Sequence, residues 1–134
     1  MIVTNNEVLR QVSKDPNREE DLPALEKRMR KAMAESGGIG LAAIQIGKPI
    51  RAVLVQDKFL VSPTIVSGTG KAKQFNEGCL SVPGIRVLKK RVPKVKIHYF
   101  DTSWKEHTKV FRGLEAAIVQ HEIDHLNGVL ISDT

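Results

Sequence analysis

Two histidines and a glutamate carry the strongest chemical signal in this chain. The segment Gln120-His121-Glu122-Ile123-Asp124-His125 contains the pattern H-E-x-x-H. On a helix, residues four apart lie one turn above each other, so His121 and His125 present two imidazoles to one ion. Glu122 leans toward the same space without needing to ligate, where it can take a proton from an activated water. Leu114, Ala117 and Ile118 make the histidine side of this helix apolar. Buried imidazoles without partners are costly, which favours ligation over a chance pairing. A catalytic metal needs a third protein ligand and one open position. Residues Leu126 to Thr134 offer no His or Glu, and Asp133 is their sole acid. The ligand must then come from upstream. The lone Cys79, in a Gly-flanked loop at Glu77-Gly78-Cys79-Leu80-Ser81, is the best candidate. A single cysteine is ordinarily a small buried hydrophobe, but no other third ligand is in view.

The elements that must position these groups are legible from periodicity. Leu22, Leu25, Met29, Ala32 and Met33 recur at helical spacing. Asp21 can cap that helix, Pro23 suits its first turn, and Gly37-Gly38 ends it. The run Gly37-Gly38-Ile39-Gly40-Leu41-Ala42-Ala43-Ile44-Gln45 follows. By its Gly and Ala content it reads first as a tight turn. Its backbone is nonetheless open to an extended ligand, and Gln45 offers an amide donor. Short β-rich runs come next, Arg51–Gln56, Phe59–Ser62 and Thr64–Val66. Val95–Phe100 alternates at period two, and Lys109–Phe111 can return antiparallel to it. Leu114, Ala117, Ile118, His121 and His125 share one helical stripe, which Gly128 stops. The order helix, several strands, helix predicts an α+β fold with an antiparallel sheet, since no βαβ alternation occurs.

Taken together, GIGLAAIQ at Gly38–Gln45, EGCLS at Glu77–Ser81 and QHEIDH at Gln120–His125 resemble the three signature motifs of peptide deformylase, in the family's order and at similar spacing. The resemblance runs from about Glu7 to Leu130. It implies antiparallel β-sheets packed around a central helix carrying the histidines, preceded by an N-terminal helix. It implies removal of the formyl group from the N-terminal formylmethionine of nascent chains, releasing formate. Carried onto matching positions, Cys79, His121 and His125 are the expected metal ligands and Glu122 the general base and acid. Gln45 and the Leu80 N–H are expected to hold the formyl oxygen. Gly40 is expected to pair with the substrate backbone, with Gly78 also in the substrate site. Ile39, Leu114, Ala117 and Ile118, with Arg86 at the rim, match the methionine pocket. Glu77, Arg91 and Asp124 are expected to orient the site. The resemblance implies one divalent metal ion, Fe²⁺ first, with Zn²⁺, Ni²⁺ or Co²⁺ able to substitute. The Gln45-to-Cys79 stretch is shorter than in typical bacterial members, and the chain stops six residues after Gly128. Both departures leave the motif residues intact.

Composition sets the remaining bounds. At 134 residues, 41% hydrophobic and 27% charged, the chain reads as one catalytic domain over 1–134, not a disordered tail, collagenous repeat or rod. One cysteine forbids an internal disulfide. No run of about 18 apolar residues exists and no leader is evident, so the expected location is cytoplasmic, with no membrane contact. The net charge of +6 matches the balance within Leu88–Arg112, which holds eight basic residues against Asp101 and Glu106. The simpler reading of that segment is an edge hairpin guarded by lysines. The other is a phosphate-facing surface, through which Lys89, Lys90, Arg91, Lys94 and Lys96 would give weak electrostatic ribosome contact. Two rival functions remain at this level. Another H-E-x-x-H metallohydrolase would cut internal peptide bonds, and a non-catalytic basic binding module would leave Glu122 dispensable.

Overall fold

A computed structural model of the chain describes residues 2–133. Met1 and Thr134, the ends of the expected 1–134 domain, lie outside the described residues. The elements run α1 (Asn6–Leu9), α2 (Leu22–Ser36), β1 (Gly40–Ala42), a 3₁₀ turn (Ala43–Ile46), β2 (Ala52–Val55), β3 (Lys58–Thr69), β4 (Lys73–Cys79), β5 (Val82–Arg91), β6 (Lys94–Phe100), β7 (Glu106–Arg112) and α3 (Gly113–Leu126). Five strands form an antiparallel sheet in the order β1-β2-β3-β6-β7, while β4 and β5 form a separate hairpin. The α+β expectation holds.

Helix α2 obeys its sequence signals. The Asp21 carboxylate accepts from the Ala24 N–H at 3.0 Å, Pro23 sits in the first turn, and Gly37 caps the end by donating to the Met33 carbonyl. Its buried stripe, Leu22, Leu25, Met29 and Ala32, packs with Leu41, Ala52, Leu54 and Val61 on one side of the sheet. Val53 and Val55 face the opposite side and pack with Ala116, Val119 and Ile123 of α3. Strand β2 is therefore apolar at all four positions because both its faces are covered, so it shows no alternation. Helix α3 is buried on most of its circumference, with nine of its 14 residues inside, which marks a central helix rather than a surface one.

Three features depart from the sequence reading. The expected strands Phe59–Ser62 and Thr64–Val66 are one long strand, β3, broken in register rather than in path. Ser62 there has φ 48°, and the irregularity between Val61 and Thr64 accommodates Pro63, which cannot donate to a ladder. Cys79 ends strand β4 rather than sitting in a loop. The β4–β5 hairpin itself gave no alternating signal, because its outer face is mostly solvated and its inner face carries polar groups. Among the described residues no helix is long and apolar enough to cross a membrane.

Candidate metal centre and its cleft

Helix α3 and the end of β4 meet at the histidines. One ligand atom each from Cys79, His121 and His125 lies within 4.8 Å of the others. The Cys79 Sγ is 3.2 Å from His125 Nε2, and the two imidazole centroids are 5.1 Å apart. The centre exists because a rigid helix supplies two donors a turn apart and a hairpin end supplies the third from across a gap.

Behind the donors stands an ion-pair network. Glu77 Oε1 lies 3.0 Å from His121 Nδ1, which leaves Nε2 of that ring for the centre. Arg91 donates to both Glu77 oxygens at 2.8 Å and to Asp124 at 2.7 Å. Burial disfavours the charged form of Glu77, but its bonds to Arg91 and His121 outweigh this and hold its carboxyl down at about 2. The Arg91 guanidinium stays charged, raised above its ordinary range against the cost of burial. Arg91 is 6% exposed, which corrects its expected place among the phosphate-facing cations. An arginine held on three carboxylate contacts inside the protein cannot also reach an outside phosphate.

Burial opposes charge on His121, yet the neighbouring Glu122, Cys79 and Glu77 overcome it and raise its pKa to about 10. Burial, His121 and Arg91 push His125 down to about 3, so it remains a neutral imidazole. His125 is 1% exposed, and its Nδ1 has no hydrogen-bond partner among the described residues. One soft sulfur and two imidazole nitrogens fit a divalent transition metal.

Beside the centre, Glu122 is buried with its Oε1 unpartnered. Burial lifts its carboxyl to about 7, against the pull of His121, the range in which a general base works best near neutral pH. A Cβ built on Gly40 would lie 2.6 Å from Glu122 Oε2 and 2.7 Å from Ile118 Cγ2. Only glycine allows strand β1 to pass this close to the carboxylate. Gln45, 2% exposed, accepts from the Ala42 N–H at 2.9 Å through Oε1, donates to Ser81 Oγ at 3.0 Å, and points Nε2 at Cys79 Sγ from 3.6 Å.

A cleft of about 680 Å³ opens over these groups. Ile39, Gly40, Gln45, Gly78, Cys79, Leu80, Arg86, Leu114, Ala117, Ile118, His121 and Glu122 all line it. Thus residues expected from three distant motifs share one wall-to-wall site. His125 is buried and does not line it. Ile39 and Leu114 are more than half exposed and form an apolar rim. Arg86 donates to the Asn76 carbonyl at 2.7 Å and folds over Gly78. Sequence reasoning left out Phe75, Val82 and Ile85, which also line the cleft, and assigned no role to Ser81. The first three sit on a hairpin whose pairing was not visible in the sequence.

The sequence model of the polypeptide deformylase family matches residues 1–134. The chain belongs to the peptide deformylase family. A peptide deformylase of Brucella suis biovar 1 is 41% identical over 143 residues, covering 99% of this chain and 82% of that one. The class I type b peptide deformylase of Acinetobacter baumannii superposes with TM-score 0.95 at 31% identity, covering 99% of this chain and 97% of that chain. The deformylase of the Vibrio parahaemolyticus bacteriophage VP16T, solved with actinonin, superposes with TM-score 0.92 at 37% identity and covers 97% of this chain and 98% of its own. The deformylase reading made from the three motifs therefore stands, as do the α+β fold and the metal-dependent hydrolase class.

Proposed function

We propose that Cys79, His121 and His125 hold one divalent cation, and that Glu122, Gln45 and the Leu80 N–H use the cleft above it to hydrolyse the formamide of a formylated nascent chain. The family's reaction removes the formyl group from N-terminal formylmethionine and releases formate. The observation that carries this reading is the convergence of three donor atoms within 4.8 Å at a cleft that Glu122 also lines. When bound, the cation supplies Lewis acidity and lowers the pKa of water. Fe²⁺ is the ion we assign in the cell, with Zn²⁺, Ni²⁺ or Co²⁺ as substitutes the same donors accept.

The chain's own residues do the rest. Ile39, Leu114, Ala117 and Ile118 take the methionine side chain, with Arg86 at the rim and Gly78 beneath it. Gly40 pairs with the substrate backbone along the free edge of β1. Glu122 takes a proton from the attacking water and returns it to the departing amine nitrogen. Gln45 Nε2 and the Leu80 N–H donate to the formyl oxygen as it gains charge, a contribution of about 3 kcal/mol per donor in comparable sites. The C–N bond breaks, formate leaves and a free amino terminus remains.

The partner is the formylated nascent peptide in the cytoplasm. Weak ribosome contact is assigned to the basic segment 88–112 without Arg91. Lys94, Lys96 and Arg112 are exposed on the outer side of β6 and β7, where Lys94 pairs with Arg112 in register. The deciding experiment measures formate release from a formyl-Met tripeptide and metal content in one anaerobic sample. Formate at a rate proportional to bound metal is the expected result. Cleavage of internal peptide bonds in unformylated peptides would favour the general metallopeptidase instead.

A further inference from the structure

We infer that Ser81 is a positioning residue that fixes the spacing between the two oxyanion donors, the Gln45 amide and the Leu80 N–H. The inference rests on the proposed role of Gln45. Leu80 and Ser81 are the two residues that join β4 to β5, between the register pair Cys79 and Val82. Gln45 arrives from a different element, the 3₁₀ turn Ala43–Ile46. Nothing in chain order sets the distance between these donors. The hydrogen bond that spans them is Gln45 Nε2 to Ser81 Oγ at 3.0 Å, between side chains 2% and 3% exposed as residues.

Hydrogen-bond chemistry determines the direction of that bond. The Ala42 N–H can only donate, so it takes Gln45 Oε1 at 2.9 Å and sets which end of the amide faces the turn. Nε2 then faces Ser81, and the hydroxyl oxygen must accept. The planar amide carries two hydrogens on Nε2. Ser81 occupies one, and the second is directed toward the donor set, on the side where Cys79 Sγ lies 3.6 Å away. With Ser81 removed, the amide keeps its Ala42 bond and the long 3.6 Å contact to Cys79 Sγ, and can pivot about Ala42. A buried N–H is then left without its acceptor, and the Leu80 turn is no longer tied to Gln45. The donors still exist but stop converging, which costs preorganisation rather than binding.

The test is a double-mutant cycle with Ser81→Ala, Gln45→Ala and the pair, in metal-loaded enzyme of equal metal content. Ser81→Ala is expected to lower kcat about ten-fold with KM nearly unchanged. Gln45→Ala alone is expected to lower kcat by about 10²–10³-fold. In the Gln45→Ala background the Ser81 change should add almost nothing, because its effect passes through the amide. A readout independent of turnover is ¹⁵N NMR of the Zn²⁺-loaded wild type, in which one Gln45 side-chain amide proton should exchange slowly with solvent. Unchanged kcat in Ser81→Ala, an equal loss in both backgrounds, or fast exchange of both Gln45 protons would overturn the inference. Wild-type kcat in Gln45→Ala would instead remove the oxyanion reading, and Ser81's role with it.

Discussion

Each residue at the centre is separable by what it is bonded to. Glu122 stands outside the cluster of Cys79, His121 and His125 and has an unpartnered oxygen. Replacing it with Ala should therefore leave metal content intact while lowering turnover by about 10²–10⁴-fold, the usual worth of a positioned base. Cys79→Ala should lose the metal itself, since two imidazoles alone make a poor site. Metal analysis beside formate release distinguishes the two variants, and wild-type turnover in Glu122→Ala would remove it from the mechanism. Arg91 behaves differently again. Its side chain and that of Glu77 are 7% and 10% exposed, and Arg91→Ala strands the Glu77 charge inside the protein. The expected cost is about 3–5 kcal/mol of stability, as when one partner of a buried pair is removed. Chemical denaturation should register it, and a loss below about 1 kcal/mol, typical of surface pairs, would contradict the buried network.

The elements carry their own vulnerabilities. The cap of α2 is a single bond that the Ala24 N–H donates to the Asp21 carboxylate, and Asp21 does not line the cleft. Asp21→Ala should cost about 1 kcal/mol of stability and leave kcat/KM untouched. At the other end of the chain, Gly128 follows α3 with φ 74°, and a Cβ there would strike the Arg10 carbonyl. Gly128→Ala meets both a left-handed backbone and a backbone contact that cannot swing away. Its cost should exceed that of the cap, at about 1–3 kcal/mol. Equal thermal shifts for the two variants would mean that the packing of Gly128 on Arg10 is looser than described. The hairpin β4–β5 matters most for function, because it delivers Glu77, Cys79, Leu80 and Ser81 from one short stretch. A hairpin places successive residues on opposite faces, so Glu77 and Cys79 share the face turned toward α3.

Over the whole molecule, two surface features give predictions. Asp133 accepts from the Arg10 guanidinium at 2.8 and 2.9 Å and from the Leu130 N–H at 2.9 Å, tying the end of the chain to its beginning. The Arg10 and Leu130 bonds hold its carboxyl down at about 2. A depressed folded pKa means that this tie is fully present above the ordinary carboxylate value of about 3.9. It is lost as pH falls toward 2. Carboxyl ¹³C titration should place the Asp133 midpoint at about 2, and Arg10→Ala should return it toward the ordinary value. An unshifted midpoint in the variant would leave Arg10 without a part in the tie. The second feature is charge. Changing Lys90, Lys94 and Lys96 to Glu should weaken ribosome binding and flatten its salt dependence, since fewer counterions are released from phosphate. Cleavage of a formyl-Met tripeptide should not change. Binding that is indifferent to both salt and these substitutions would leave the lysines as guards of exposed strands.

Local chemistry was legible from the residues: two histidines a helical turn apart, the carboxylate beside them, the cap and stop of α2, and the period-two pattern of β6. Each is set by neighbours within a few residues, so spacing alone reveals it. The sequence also pointed to Cys79, though by elimination and resemblance rather than by any local signal. The structure alone decided that β3 is one strand across Pro63, that Cys79 ends a strand, and that Arg91 is buried. These depend on pairing between distant segments and on what covers each face. The Arg91 guanidinium looks like any surface cation until Glu77 and Asp124 are brought against it. Ser81 is the clearest case. Its hydroxyl has no meaning in the sequence, because its partner lies 36 residues away on another element and the fold alone brings them within a hydrogen bond.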